Sequence, residues 1–275
     1  MSDQAGRATR FRELHRPGAP LLVPNPWDPG SARLLASLGF QALATTSSGF
    51  AATLGRLDGS VTREEALGHA AAIAAATPLP VSADLENCFA EDSDGVAQTA
   101  ADAVAAGLAG FSIEDYSGDE SAPIYESERA AERVAAAVQA AHSGAAHLVV
   151  TARAENYLHG RPDLDDTIAR LQAYQEAGAD VLYAPGPTDA ETIRVIVASV
   201  DRPVNVLARR GSPPVAELAA LGVSRISVGG AFAFVAIDAV ATAARELRHQ
   251  GTYGFTERSA EGVRAALDAF ARPAE

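Results

Sequence analysis

Pro80-Val81-Ser82-Ala83-Asp84-Leu85-Glu86 is the stretch whose reading decides the fold: a short β-prone run that breaks into carboxylates. Two further runs repeat the pattern. Gly110-Phe111-Ser112-Ile113 leads into Glu114-Asp115, and Leu148-Val149-Val150-Thr151-Ala152 leads into Arg153. Short apolar runs of this kind read as buried parallel strands. Polar groups at their C-terminal ends stand where α/β enzymes keep their chemistry.

Working outward, five more strand-like runs appear, at Leu21 to Pro24, Ala42 to Thr45, Val181 to Ala184, Val204 to Leu207 and Arg225 to Val228. Alanine-rich helical segments separate them, including Ser31 to Leu38, Thr62 to Ala76, Asp94 to Ala106, Ser127 to Ala141, Asp165 to Ala177, Asp189 to Ser199 and Val215 to Leu221. Strand then helix, repeated eight times, requires parallel strands joined by crossover helices. Several helices end in one phrase, as in Leu38-Gly39-Phe40, Ala177-Gly178-Ala179 and Leu221-Gly222-Val223, where glycine supplies the left-handed cap.

Eight such units predict an α/β protein folded as a (β/α)8 TIM-type barrel. An open doubly wound sheet would bring a glycine-rich phosphate fingerprint after its first strand, and Asn25-Pro26-Trp27-Asp28-Pro29-Gly30 is not one. Gly229-Gly230, after the last strand, sits where barrels often bind phosphate, although a close-packed turn accounts for it equally well. The domain division expected is a catalytic barrel over residues 1–255 and a terminal helix over 256–275. Val263, Ala266, Leu267 and Phe270 fall on one face of that helix. It could close its own barrel or pass to a second subunit.

Composition excludes several classes of function. The chain has 275 residues, 48% hydrophobic and 21% charged, which suits a globular protein with an ample core. A formal charge of -13 argues against nucleic acid or an anionic membrane as a partner. Cys88 is the single cysteine, so neither an intrachain disulfide nor a cysteine metal cluster can form. Met1 to Pro20 lacks the apolar core of a signal peptide, and a cytoplasmic location is expected.

An ordered set of motifs resembles the isocitrate lyase and phosphoenolpyruvate mutase superfamily. It comprises Asn25-Pro26-Trp27-Asp28, Ala44-Thr45-Thr46-Ser47-Ser48-Gly49, Asp58-Gly59, Asp84-Leu85-Glu86, Ile113-Glu114-Asp115, Ala152-Arg153-Ala154-Glu155 and Pro203-Val204-Asn205-Val206-Leu207. The resemblance implies an α/β barrel that exchanges its last helix within a homodimer or homotetramer. It also implies Mg²⁺, with Mn²⁺ as a substitute.

Three carboxylates around a small volume, Asp84, Glu86 and Glu114, independently suggest a hard divalent cation, because their mutual repulsion needs neutralising. Asp84 and Glu86 are two apart and would share a face if the strand continued strictly. By resemblance, Asp84 binds the metal directly while Glu86 and Glu114 hold it mainly through water. Capping of the following helices is the ordinary alternative for both glutamates.

Arg153 offers a bidentate grip for a substrate carboxylate, or a salt bridge to Glu155 or Glu114. Backbone amides around Thr46, Ser47 and Ser48 match a loop that, in the family, contacts the substrate's oxygens; a helix cap is the alternative. Asp58 matches an aspartate near the metal's outer shell, or makes a simple Asp-Gly turn. Asn205, with Arg209 and Arg210 beyond it, is placed to select the distal part of a substrate, or forms a solvated basic turn before Gly211. The catalytic set expected is therefore Asp58, Glu114 and Arg153, with Thr46, Ser47, Ser48, Arg153 and Asn205 binding substrate.

These residues imply a Mg²⁺-dependent lyase that cleaves a C–C bond in a small 2-oxo or 2-hydroxy (di)carboxylic acid through an enolate. The loop after Glu114-Asp115 departs from the lyases' cysteine-bearing pattern, reading Tyr116-Ser117-Gly118-Asp119-Glu120-Ser121. It also lacks the mutases' Lys and Asn pattern, and its acidity disfavours a phosphonate. A mutase-like, oxaloacetate-decarboxylase-like branch remains, with P–C bond chemistry and a non-catalytic metal and 2-oxo acid binding barrel as alternatives. Cys88, among carboxylates that raise its pKa, is a poor acid or nucleophile, and His159 is the histidine placed to reach the mouth, with a solvated loop residue as its ordinary alternative.

Overall fold

The computed structural model describes residues 4–271. Met1, Ser2 and Asp3, and residues 272–275 at the end of the expected terminal segment, lie outside the described residues. Eight parallel strands form the barrel: β1 (Leu21–Val23), β2 (Leu43–Ala44), β3 (Val81–Asp84), β4 (Gly110–Glu114), β5 (Val149–Arg153), β6 (Val181–Tyr183), β7 (Val204–Leu207) and β8 (Arg225–Ser227). They pair in the order β1-β8-β7-β6-β5-β4-β3-β2. The seam between β1 and β2 has no ladder and is bridged by Ala44 N–H donating to Pro24 O at 3.2 Å.

Each strand presents alternate residues to the barrel axis. Val81, Ala83, Phe111, Ile113, Val150 and Ala152 join the apolar layer shared with the surrounding helices. Their neighbours Ser82, Asp84, Ser112, Glu114, Thr151 and Arg153 take the opposite face. The three opening runs are thus two-sided strands with a polar axial face. A separate apolar cluster of Phe11, Leu21, Val23, Ala42, Ala44, Ala109, Val149 and Val181 closes the lower end.

Phe11 comes from α1 (Gln4–Glu13), a helix that the sequence pattern does not reveal. Its buried residues are Ala8 and Phe11 among charged neighbours, too few to give a periodic apolar stripe. The crossover helices are α2 (Pro29–Ser37), α3 (Ser47–Thr53), α4 (Arg63–Ala75), α5 (Ser93–Ala105), α6 (Ser127–His142), α7 (Leu164–Glu176), α8 (Ala190–Ala198) and α9 (Val215–Ala220). Two more follow the last strand, α10 (Ala231–Gln250) and α11 (Thr256–Phe270).

Helix starts follow local chemistry. Asp28 and Thr62 each head a capping box, and Asp92, Asp163 and Asp189 accept an amide hydrogen bond from the first turn of α5, α7 and α8. Helix α11 lies on α2, where Arg33 donates to Phe270 O at 3.0 Å. Phe234, Val235, Ile237 and Val240 of α10, and Val263 and Leu267 of α11, remain exposed. Among the described residues no helix is long and apolar enough to cross a membrane.

Candidate active site

The upper ends of the strands surround a cavity of about 190 Å³. Thr46, Ser47, Ser48, Asp58, Asp84, Arg153 and Tyr183 line it, together with Ser82, Ser112, Thr151, Arg225 and Ser227 deeper in the barrel. Most of the residues expected from the sequence therefore meet in one place.

Arg153 is the hub. Its Nη1 lies 2.9 Å from Asp84 and 3.1 Å from Glu114, while Nε lies 2.8 Å from Glu155. Strand register explains the reach, since Arg153 pairs with Glu114 on one side and Tyr183 on the other. Burial pushes Glu114 and Glu155 above the usual carboxylate range, and the Arg153 charge is the main influence pulling them back.

Asp84 also accepts Ser47 N–H on Oδ2 at 3.1 Å, and its own N–H donates to Thr45 Oγ1 at 2.8 Å. Thr46 caps α3, accepting Gly49 N–H, and its hydroxyl meets that of Ser48 at 3.1 Å. The expected helix cap is thus present, on a segment that lines the cavity. Asp58 belongs to the exposed loop after α3 and lines the cavity. Burial of its carboxyl raises its pKa, as does Asp84, against a hydrogen bond with Ser47.

Glu86 does not extend the strand. β3 stops at Asp84, and Glu86, Cys88 and Phe89 take φ of 48°, 60° and 52°, so the shared face expected for Asp84 and Glu86 is broken by a left-handed turn. Buried Arg133 of α6 pins that turn, donating to the carbonyls of Asn87 at 2.6 Å and Ala90 at 2.7 Å. Burial, then the charges of Asp84 and Asp58, push the Glu86 carboxyl up to about 8.

Among the described residues no three His, Cys, Asp or Glu side chains are grouped so as to grip a metal ion together. The donor set fits a cation held by few direct protein ligands: Asp84 lines the cavity, while Glu86 and Glu114 do not line it and are pushed above the usual carboxylate range chiefly by burial. Magnesium prefers such sites, keeping several waters.

Asn205 is placed differently from expectation. Its side chain is buried, donating through Nδ2 to Ser227 Oγ at 3.0 Å, and it does not line the main cavity. Arg209 and Arg210 are exposed beyond β7. Gly230 packs so tightly that a Cβ there would lie 2.5 Å from Ser48 Oγ, which makes Gly229-Gly230 a close-packing turn against the start of α3. Cys88 is fully buried with its thiol pushed up to about 12 by desolvation, and His159 stacks on Tyr116 at 3.8 Å.

Three site residues escape the sequence reading. Tyr183 lines the cavity under Arg153, whose guanidinium carbon is 5.3 Å from the ring centroid. Asn25 bonds Thr45 O through Nδ2 at 3.0 Å, and its Oδ1 accepts Val228 N–H and Gly229 N–H at 3.0 Å each. Arg225 stands on the axis, donating to Thr151 Oγ1 at 3.1 Å. For Asn25 a signal exists, because an Asn-Pro pair just past a strand is a turn with a buried polar group to satisfy.

A parallel barrel with carboxylates and an arginine converging at its C-terminal mouth defines an enzyme of the TIM-barrel class. The chain matches the phosphoenolpyruvate phosphomutase family model over residues 11–248 and belongs to that family, within the isocitrate lyase and phosphoenolpyruvate mutase superfamily. It is similar to a candidate lyase/mutase of Burkholderia cenocepacia J2315, a crystal structure with 52% identity, a TM-score of 0.95 and 99% of each chain covered. An uncharacterized protein of Mycobacterium tuberculosis is 34% identical over 239 residues, 86% of this chain and 87% of that one. The oxaloacetate decarboxylase of Chromohalobacter salexigens is 30% identical over 250 residues, 86% of this chain and 84% of that one.

Proposed function

We propose that the protein is a divalent-metal-dependent carbon–carbon lyase acting on a small 2-oxo or 2-hydroxy acid, with oxaloacetate as the first substrate to test. The observation that carries the reading is Arg153 bridging Asp84 and Glu114 over a cavity lined by the Ser47 and Ser48 loop. The similarity to an oxaloacetate decarboxylase supports the choice of substrate.

Mg²⁺ bound at Asp84, with Glu86 and Glu114 behind it, would supply positive charge to the oxygens of the 2-oxo acid. Arg153 orients the substrate carboxylate. Cleavage leaves the bond's electron pair as an enolate, whose oxygen the Ser48 amide at the start of α3 stabilises while Ser47 N–H holds Asp84. Tyr183 then gives a proton to the enolate carbon. Its phenol, pushed up to about 12 chiefly by burial, holds that proton at neutral pH. Asp58 faces the outer edge of the same site.

The exposed apolar residues of α10 and α11 support assembly with further copies of the chain, with α11 as the element exchanged. Release of pyruvate from oxaloacetate and of 2-oxo acids from a panel of alkylmalates, with and without EDTA, tests the activity. Mg²⁺-dependent release abolished by Asp84→Ala is expected. Tight oxalate binding with no turnover of any acid would leave a non-catalytic binding barrel.

A further inference from the structure

Arg225 is a buried cation whose charge nothing in the lyase reading uses. It stands at the start of β8, paired in register with Leu21 and Asn205, and its side chain crosses the barrel to Thr151 on β5. The residue is 4% exposed, and its Nε is sealed from solvent without a hydrogen-bond partner. Beneath it lies the Phe11 ring, with its centroid 5.7 Å from the guanidinium carbon.

No ion pair offsets this charge. Asp84, Glu114 and Glu155 converge on Arg153 nearer the mouth, and among the described residues no carboxylate pairs with Arg225. Burial, followed by repulsion from Arg153, lowers the guanidinium to about 10, which still leaves it protonated at neutral pH. A charge held in a barrel without a counterion is costly, and evolution can remove it with a leucine. Ser82, Ser112, Thr151 and Ser227 line the same cavity, and Asp84, whose charge reaches Arg225, is itself held by Arg153 and accepts a hydrogen bond from Ser112 Oγ at 3.4 Å.

We propose that Arg225 and these hydroxyls form a second, deep anion subsite that takes a carboxylate. The carboxylate is either the distal group of the substrate, whose 2-oxo acid end sits at the mouth, or a free one lodged below it. The cavity is then bipolar, acidic at the rim and cationic at the floor, and a diacid enters with one end down. The substrate form of the inference rests on the lyase reading; the subsite itself does not.

Formate is the probe, because it is a carboxylate small enough to pass the mouth. The melting temperature of the whole protein is followed against formate in EDTA, compared with a non-carboxylate salt at equal ionic strength. A saturable rise in wild type, absent in Arg225→Gln, is expected. Arg225→Lys keeps the charge without the fork and should respond at about tenfold higher formate. A rise of equal size and midpoint in wild type and either variant overturns the proposal, as does no rise in wild type. Should Arg225→Gln not fold, the lysine variant alone decides.

Turnover separates the two sources. A KM for oxaloacetate raised about tenfold or more in Arg225→Gln, with kcat little changed, places the substrate's distal carboxylate there. An unchanged KM with the formate response lost places a free carboxylate there. If no acid is turned over, the lyase reading fails while the formate result still stands or falls by itself.

Discussion

Arg153 and Asp84 meet at 2.9 Å although they stand on β5 and β3, with β4 between them. The guanidinium spans the intervening strand and holds Glu114 of β4 on the way, at 3.1 Å. One side chain thus sets the separation of the carboxylates that form the rim. Removing it leaves three buried or half-buried carboxylates facing one another. Arg153→Met is expected to cost about 3–5 kcal/mol of stability, read from urea denaturation, and to abolish turnover. A loss below about 1 kcal/mol would mean that the rim does not depend on this cation.

Tyr183→Phe tests the proposed proton donation. The ring still fits beneath Arg153 and the cavity keeps its shape, so substrate binding should change little. A fall in kcat of about 10²- to 10⁴-fold is expected, measured alongside KM on the same acid. Unchanged kcat would assign the proton to another group.

The fold was readable from sequence because its evidence repeats. Eight runs alternating with helices make a barrel, and each run is short, apolar and followed by a turn. Asp84, Glu114 and Arg153 were readable for a related reason, as charged residues ending apolar strands. Tyr183 and Arg225 were not, since a tyrosine or an arginine within a strand reads as ordinary packing or exposure until the opposite wall of the barrel is known. Glu86 shows another limit. Period-two alternation holds while the backbone stays extended, and a left-handed φ two residues beyond Asp84 ends it.

Cys88 provides a test of burial. Its thiol, pushed up to about 12 by desolvation, is unreactive near neutral pH because thiolate is scarce and access is blocked. Iodoacetamide at pH 8 should leave the folded protein unlabelled and label it fully in urea, as read by mass spectrometry. Cys88→Ala should retain activity. Rapid labelling of the native protein would contradict the placement of this loop.

Asp180 sits at the opposite, lower end of the barrel, where stability rather than chemistry is at stake. Burial would raise its carboxyl, but hydrogen bonds from His142 Nε2 at 3.0 Å and Val150 N–H at 2.9 Å hold it below the ordinary value. A carboxylate with a depressed folded pKa contributes stability above its unfolded pKa of about 3.9 and loses it as pH falls through the folded value. Asp180→Asn should therefore lower stability at pH 7 by about 1–2 kcal/mol and flatten the acid limb of the stability profile. An acid limb identical to wild type would remove Asp180 from that role.

Asn25 gives the barrel a timetable. Its carboxamide joins the end of β1 to Thr45 beside β2 and to the amides of Val228 and Gly229, some two hundred positions further along the chain. The segment after β2 and the turn after β8 are thereby locked by a contact that cannot form until the chain has been made past β8. A contact of such long range closes late, so the join between β1 and β8 is among the last parts of the barrel expected to set.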